Sequence, residues 1–261
     1  MVQYGFFFDQ SRCIGCHACS IICKMWYDIP PGPLKYMRVY EWEKGSFPDI
    51  RVYHLAINCY HCENPVCAKE CEKYVPGGAI CKEPKYGAVL IDVEKCDPVK
   101  YGCKRACWQA CPYGSIVFAS DDPSEKAHKC TMCIDRLEQG LKPICVFACS
   151  MRALEFGPLD ELKKKFGELQ QLEDLPSPKE VKPAVVFKPI DPKKQLIPYN
   201  PFKALQLWRK RGPYAPPNLP DVIDRIEDVT DPPKEIIGRN KLVLKPSSVE
   251  ELQYYTLDDE G

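Results

Sequence analysis

The sequence contains no run of about 18 apolar residues, so nothing in its 261 residues has the pattern of a membrane-spanning helix. Its 36 basic and 36 acidic side chains cancel, which argues against the basic surface that nucleic acid requires. A Gly-rich phosphate loop and the C-x3-C-x2-C radical motif are both missing. We therefore expect no nucleic-acid partner, no transmembrane segment and no catalytic site on this chain.

The N-terminus also lacks the basic and apolar regions of a secretory signal peptide. For that reason we do not expect the 17 cysteines to form the disulfide framework of a secreted protein. Cysteine is missing from the 112 residues after Cys149, whereas 15 of the 26 prolines lie from Pro158 onward. The chain thus divides into a metal-binding part and a Pro-rich part, in which we expect residues 175–261 to form an extended tail.

Sixteen cysteines fall into four groups, and every group ends in C-x3-C. The groups are Cys13, Cys16, Cys19 and Cys23; Cys59, Cys62, Cys67 and Cys71; Cys96, Cys103, Cys107 and Cys111; and Cys130, Cys133, Cys145 and Cys149. An apolar run, an Asp and a basic residue precede the first cysteine of groups one and three, and a short β-prone stretch follows three of the groups. The repetition predicts units of strand, cysteine loop, short helix and strand.

Two segments lie outside this repeat. Residues 24–58 contain alternating stretches on both sides of "GSFPD", which predict a β-hairpin that either covers the core or forms a docking surface. After the fourth group, the apolar residues from Leu159 to Leu172 recur at helical spacing, with Pro158 near the start. This stripe is typical of a helix that packs on the core.

The spacing of the first group favours iron-sulfur over zinc. Structural zinc usually takes two separated cysteine pairs and one tetrahedron. Three cysteines at two-residue intervals instead wrap one face of a cubane, and Gly15 gives this loop room to bend. The last cysteine lies about one helical turn further on and points to a neighbouring cluster, as in two-cluster ferredoxins. Four such groups predict sixteen thiolates and four 4Fe-4S clusters, with a zinc scaffold as the alternative.

Cys81 and three histidines remain. Cys81 lies in an alternating stretch that predicts a hairpin strand, where we expect it to pack as a small apolar residue. His17 and His61 lie inside cysteine loops, and His128 lies two residues before Cys130. Because the thiolate count is already complete, we expect these histidines to be exposed or to donate hydrogen bonds to sulfur rather than to bind metal.

Five stretches carry a resemblance to a known family. They are "QYGFFFDQSRCIGCHACSIICK", "CYHCENPVCAKEC", "CWQACPYG", "HKCTMCIDRLEQGLKPICVFAC" and "RALEFGPLDELKKKFGEL". In them the chain resembles the four-cluster iron-sulfur subunits of the molybdopterin oxidoreductase, or dimethyl sulfoxide reductase, family. The resemblance extends from Gln3 to about Leu169 and says little about the tail.

The resemblance implies that groups one and four exchange their last cysteines, as do groups two and three. The implied ligand sets are Cys13, Cys16, Cys19 and Cys149 for cluster 1; Cys23, Cys130, Cys133 and Cys145 for cluster 2; Cys59, Cys62, Cys67 and Cys111 for cluster 3; and Cys71, Cys96, Cys103 and Cys107 for cluster 4. It further implies a bent row in this order, with cluster 1 facing a catalytic subunit.

The implied fold class is α+β, with two ferredoxin-like 2x(4Fe-4S) modules. Residues 1–23 and 112–174 would form the first module, residues 59–111 the second, residues 24–58 the hairpin insert and residues 175–261 the extended Pro-rich tail. We expect the tail to wrap the catalytic subunit or to occupy the surface where relatives bind a membrane anchor.

Cluster 4 lies where the sequence departs from the family. Cys71 is followed by "EKYVPGG" where the family has Pro, and six residues rather than two separate Cys96 from Cys103. Some relatives have Trp at the second position of group three and hold a 3Fe-4S centre. Cys103 fills that position here, and Trp108 lies elsewhere, so four 4Fe-4S clusters are expected.

The implied function is an electron-transfer subunit between a large molybdenum or tungsten pterin subunit and a second redox partner. That partner would be a membrane anchor or a soluble electron carrier, and the pterin cofactor would lie on the catalytic chain alone. A free-standing polyferredoxin is the alternative. The compartment is left open between co-export with the catalytic subunit to the periplasmic side of a membrane and the cytoplasm.

Overall fold

The computed structural model describes residues 2–45, 50–190 and 240–256, together with residues 206, 209 and 210. Its strands are β1 Tyr4–Asp9, β2 Arg38–Lys44, β3 Arg51–Ile57, β4 Ile80–Lys82, β5 Val89–Ile91, β6 Leu154–Pro158 and β7 Val185–Lys188. Its helices are α1 Ala18–Trp26, α2 Val66–Glu72, α3 Pro98–Tyr101, α4 Ala106–Ala110, α5 Ile134–Leu137, α6 Ile144–Ala148, α7 Leu159–Phe166 and α8 Val249–Tyr255. None of the helices in the described residues is long and apolar enough to cross a membrane.

Strand β1 is the middle strand of a three-stranded sheet in the order β6-β1-β7. It runs antiparallel to β6, with Phe6 opposite Phe156, and parallel to β7, with Phe7 opposite Val186. The sequence "YGFFFD" suits this position, because a strand covered on both faces needs a near-continuous apolar run. One face packs with the cysteine loops, and on the other Phe7 stacks on Phe166 of α7 with ring centroids 3.8 Å apart.

Strand β7 corrects the expectation of an irregular tail from residue 175. Its residues Val185, Val186 and Phe187 are fully buried, and Lys188 at its end binds the buried carboxylate of Asp9 at 2.8 Å. A short apolar run between two prolines gains its stability here by pairing with β1, far away in sequence. The described fold therefore extends to residue 190.

The predicted hairpin is confirmed, with β2 and β3 paired antiparallel from Arg38 opposite Ile57 to Lys44 opposite Arg51. Most of its turn, residues 46–49, lies outside the described residues. Tyr40, Trp42 and Leu55 are buried in the main core. The hairpin therefore acts as a cover over the cysteine loops, as one of the two sequence interpretations has it.

A second, smaller core lies around β4 and β5, which pair antiparallel, and around α2 and α4, which pack together. Ile116, Phe118 and Ala127 belong to this core, held by a bridge between Val117 and His128. The sequence-based boundary at residue 112 placed this stretch with the first group instead. Local pattern could not assign it, because the stretch contributes one short bridge rather than a strand.

Helix α7 is shorter than the apolar stripe that predicted it. It ends at Phe166, where Gly167 follows, so Leu159 and Leu162 are buried on its inner face while Leu169 is exposed beyond its end. Leu172 is buried, but on a non-helical segment. The stripe thus packs on the core as expected, although only its first part is helical.

Residues 240–256 return to the fold and pack on it. Leu244 and Tyr255 are buried, and the ammonium of Lys245 donates to the carbonyl of Gln109 at 2.7 Å. The backbone at Leu244 passes so close to Gly114 that a Cβ on the glycine would lie 2.2 Å from the carbonyl oxygen of Leu244. This part of the predicted tail therefore packs against the rest of the chain, beside the third cysteine group.

Candidate metal centres

All seventeen cysteines lie among the described residues, and all are unbridged thiols. In the part of the chain that the structure describes, no three Cys, His, Asp or Glu side chains come close enough together to hold a single metal ion. A zinc tetrahedron requires four such ligands within about 2.3 Å of one point. The described thiols are therefore not gathered around a single point in the way that a zinc tetrahedron requires.

The first predicted ligand set lines one small pocket. Its cysteines are Cys13, Cys16, Cys19 and Cys149, so the structure brings the last cysteine of group four to the first three of group one. Phe8, Val39 and Leu154 line the inner wall. All sixteen predicted ligands are described, and Cys16 is the one among them that is exposed.

The fourth predicted set lines another small pocket, in the second core. Its cysteines are Cys71, Cys96, Cys103 and Cys107. Tyr74, Val75 and Asp97 add to the wall, and these come from the two loops in which the sequence departs from the family. The longer loops therefore surround the same cavity rather than closing it.

The two remaining sets lie between these cavities. Burial is the main cause that raises the pKa of Cys145, and the thiols of Cys130, Cys133 and Cys23 raise it further. In the same way, burial and then Cys59, Cys111 and Cys67 raise the pKa of Cys62. Mutual influence of this kind requires short separations between the thiols. Both inner quartets thus combine cysteines from two groups, as the resemblance implies.

Thiols of neighbouring quartets also influence one another, and this orders the sites. Besides burial, Cys19 of the first quartet adds to the raised pKa of Cys145 in the second. The pKa of Cys130, in the second quartet, is raised by burial, then by Cys133, and then by Cys59 of the third quartet. The pKa of Cys107, in the fourth quartet, is raised by burial and then by Cys67 of the third quartet. Successive quartets, from the first to the fourth, are therefore neighbours.

Backbone N–H groups point at the sulfurs in a repeated manner. The residue two positions after the first cysteine donates to it in three groups, from Gly15 to Cys13, from His61 to Cys59 at 3.4 Å and from Met132 to Cys130 at 3.3 Å. Gly15, His61 and Met132 all have positive φ, which turns these amides inward. Donors of this kind favour the thiolate form of a cysteine.

The last cysteine of three groups also receives an amide. Ala153 donates to Cys149 at 3.2 Å and Ser115 to Cys111 at 3.5 Å, each from four residues further on. Cys71 receives its amide from Ala79 at 3.4 Å, eight residues further on, because the "EKYVPGG" insertion intervenes. The insertion therefore lengthens the loop without removing the donor.

Cys96 is the exception among the first cysteines of the groups. The residue two positions later is Pro98, which has no N–H to donate and instead begins α3. The amide of Ala127 replaces it, at 3.5 Å from the Cys96 sulfur. The fourth quartet therefore depends on a long-range contact for a donor that the other groups obtain locally.

The thiols themselves require a cation in order to ionise. Burial first, and then neighbouring thiols, raise the pKa of Cys13 to about 11 and that of Cys19 to about 12. At neutral pH such groups stay protonated unless a metal stabilises the thiolate. Buried soft donors in sets of four, surrounded by inward N–H groups, fit iron-sulfur clusters and suit no hard cation.

The left-over cysteine and the histidines lie outside these quartets. Cys81 is in β4, as expected, but the alternation of the strand turns it outward and it is exposed rather than packed. The ring of His61 is fully buried rather than exposed, and its Nδ1 accepts the N–H of Val89 at 2.9 Å. His17 is half-buried, and His128 lies 3.5 Å from the Tyr36 hydroxyl.

Two buried polar side chains between the inner quartets were not predicted from the sequence. Lys129 and Asn58 each precede the first cysteine of a group, and both are almost completely buried. Their position next to Cys130 and Cys59 was visible in the sequence. Their burial was not, because it results from the packing of group two against group four.

Comparisons with known proteins agree with this geometry. A family model described as a 4Fe-4S dicluster domain matches residues 50–159. A subunit of the anaerobic dimethyl sulfoxide reductase of Escherichia coli K12 is 42% identical over 195 residues, which cover 72% of this chain and 89% of the relative. A subunit of the sulfite dehydrogenase of Allochromatium vinosum is 36% identical over 62% of this chain and 71% of its own length. The beta subunit of formate dehydrogenase 2 of Nitratidesulfovibrio vulgaris is 34% identical over 60% of this chain and 78% of its own.

Proposed function

The chain belongs to the family of the iron-sulfur subunits of anaerobic dimethyl sulfoxide reductase, and we propose that it relays electrons through a row of four 4Fe-4S clusters. It is an iron-sulfur subunit that transfers electrons with a catalytic partner. One observation carries the finer proposal. At each proposed site, thiols from two groups come together, and thiols of successive proposed sites are close enough to interact.

The ligand sets are those that the resemblance implies. Cluster 1 would be held by Cys13, Cys16, Cys19 and Cys149; cluster 2 by Cys23, Cys130, Cys133 and Cys145; cluster 3 by Cys59, Cys62, Cys67 and Cys111; and cluster 4 by Cys71, Cys96, Cys103 and Cys107. Each cluster, when bound, accepts and releases one electron. Clusters 1 and 2 with β1, α1 and α6 would form one ferredoxin-like module, and clusters 3 and 4 with α2, α4 and the β4–β5 pair the other.

The protein's part in this relay is to hold, bury and polarise the thiolates. All four cysteines proposed for cluster 2 are buried, as are three of the four proposed for cluster 3. Burial keeps the inner sites from water, so less solvent has to reorganise when an electron moves between them. The amides that point at sulfur stabilise negative charge on the thiolates at every site.

The two ends of the row are the places for redox partners. At the first end, the exposed apolar side chains of Ile14 and Met151 line the same pocket as Cys16, and exposed Phe147 lies two residues before Cys149. Exposed apolar groups around a redox site fit a partner surface that excludes water on docking. We assign this end to the large subunit that carries a molybdenum or tungsten pterin cofactor.

The other end would exchange electrons with a second partner, either a membrane anchor or a soluble carrier. Three of the four cysteines there are half-buried, and Tyr74 and Val99 are exposed on the two longer loops. Cluster 4 would differ from its equivalent in relatives in exposure and potential, because these loops and the Ala127 amide form its surroundings.

The proposal is tested on the native complex. We expect this chain to copurify with a large pterin-containing chain and to contain about sixteen iron and sixteen acid-labile sulfide per polypeptide, with a broad visible absorption. Zinc in place of iron, or half the iron, would contradict it. A stable monomer that is active with several unrelated enzymes would favour the polyferredoxin alternative instead.

A further inference from the structure

Lys129 is a buried lysine that has no carboxylate partner among the described residues. Its side chain is only 4% exposed, although lysine is almost never fully buried unless it is paired. The ammonium donates to the carbonyl of Cys130 at 3.1 Å and, in a closer contact, to that of Val89. No ion pair joins it to any carboxylate in the described residues. Something other than Asp or Glu must therefore balance its charge.

Two thiols from different quartets lie close to this ammonium. Cys130 is the next residue in the chain, and Val89, whose carbonyl accepts from Lys129, packs with Cys67 in the second core. Burial raises the pKa of both Cys67 and Cys130 to about 12, and in each case Lys129 opposes the rise. Cys67 belongs to the third proposed site and Cys130 to the second. The third group nearby is the ring of His61, whose pKa is held well below its usual range by burial and then by Lys129.

Asn58 makes the reciprocal contact. It is 3% exposed, and its side-chain amide donates to the sulfur of Cys130 at 3.5 Å. Its backbone carbonyl accepts the hydroxyl of Ser115 at 3.2 Å, which fixes its place. Asn58 precedes the first cysteine of group two and contacts group four, whereas Lys129 precedes the first cysteine of group four and faces group two.

We propose that Lys129 and Asn58 together set the potentials of the two inner centres, Lys129 as a fixed positive charge shared by both and Asn58 as a donor to the one that Cys130 holds. This rests on the ligand sets of the proposed function. Reduction of either centre adds one electron and one negative charge, with no bond made or broken at these residues. A buried cation stabilises the reduced form strongly because little water screens it. Both residues would act on the centres from beside the cysteines and would not bind iron themselves.

The test is an EPR-monitored redox titration of the complete complex. Lys129→Met, which keeps the length of the side chain and removes its charge, should shift two of the four midpoint potentials to lower values. Asn58→Leu should lower only one of those two. Lys164→Met is the matched control, since it removes an exposed lysine from α7 and should shift none.

The outcomes separate this inference from the proposed function. Four signals in the unaltered complex with no shift in Lys129→Met, or an equal shift of all four, would overturn the inference alone. Lys129→Gln is the second neutral variant, and loss of iron from both neutral variants would also overturn it, as the sign of a lysine that only supports the fold. Fewer than four signals in the unaltered complex would overturn the proposed function itself.

Discussion

His54 lies directly against Gly15, so that a Cβ on the glycine would be 2.5 Å from Cδ2 of the imidazole. Strand β3 carries the histidine, whose Nε2 meets the carboxylate of Glu41 opposite it on β2 at 2.8 Å. The hairpin thereby packs the His54 side chain against the loop that holds Cys13 and Cys16. The close approach and the φ of +67° both require glycine at this position.

Gly15→Ala should accordingly weaken the first site. Left-handed backbone costs alanine about 1–2 kcal/mol, and the contact with His54 adds about 1–3 kcal/mol of overpacking. We expect the visible absorbance of the complex to be lost at a clearly lower temperature, with iron lost first from one site. Thermal melts followed by visible absorbance and iron analysis measure this.

Gly140→Ala is the matched control for this variant. Its φ is +73°, but among the described residues no atom beyond its own chain neighbours lies within 4 Å of the position its Cβ would take, so it carries the backbone cost alone. We expect a smaller loss of about 1 kcal/mol. Equal effects of the two substitutions would show that His54 does not press on the loop.

Phe147→Asp should separate the chain from its catalytic partner. Phe147 is 72% exposed on α6, two residues before Cys149 of the first site, and a carboxylate there would have to be desolvated on docking. We expect binding at least about tenfold weaker, which corresponds to about 1.4 kcal/mol, with unchanged iron content. Binding of the purified subunits measured by calorimetry, or the yield of the complex on copurification, tests it.

Val99→Asp provides the comparison at the other end of the row. Val99 is 70% exposed on α3 beside the fourth site, so the substitution changes surface chemistry to a similar degree. It should leave catalytic-subunit binding intact and slow electron exchange with the second partner. The opposite result, with Val99→Asp releasing the large subunit, would reverse the direction assigned to the row.

The C-terminal segment should stabilise the fold that it covers. Leu244→Ala removes a buried side chain from the main core, and deletions of this kind cost about 2–5 kcal/mol. Leu169→Ala, at an exposed position, should cost less than about 0.5 kcal/mol. Denaturant unfolding of the two variants measures the difference, and similar stabilities would mean that residues 240–256 do not pack on the chain in solution.

The cysteine groups could be predicted from the sequence because their spacing is local. Each loop needs only three or four residues to wrap a cluster face, and Gly15, His61 and Met132 all have the same inward turn within those few residues. The exchange between groups is not local. It followed from resemblance alone, and Cys149 meets Cys13 only because β6 pairs with β1.

Strand β7 and the end of α7 were misjudged for a related reason. Four apolar residues between Pro183 and Pro189 carry no pattern that separates a strand from a linker, and their partner β1 lies far away in the sequence, near the N-terminus. The leucine spacing beyond Phe166 continued the helical period, but Gly167 ends the helix. Lys129 and Asn58 similarly owe their burial to contacts between distant groups.

The exchange of cysteines between groups is the central claim, and paired serine variants test it most directly. EPR spectra of the complete complex are recorded for Cys23→Ser, Cys145→Ser and Cys16→Ser, with Cys81→Ser as the control outside every quartet. Cys23→Ser and Cys145→Ser should alter the same signal, Cys16→Ser a different one, and Cys81→Ser none. If Cys23→Ser instead altered the signal lost in Cys16→Ser, the first group would hold a single cluster and the account would be wrong.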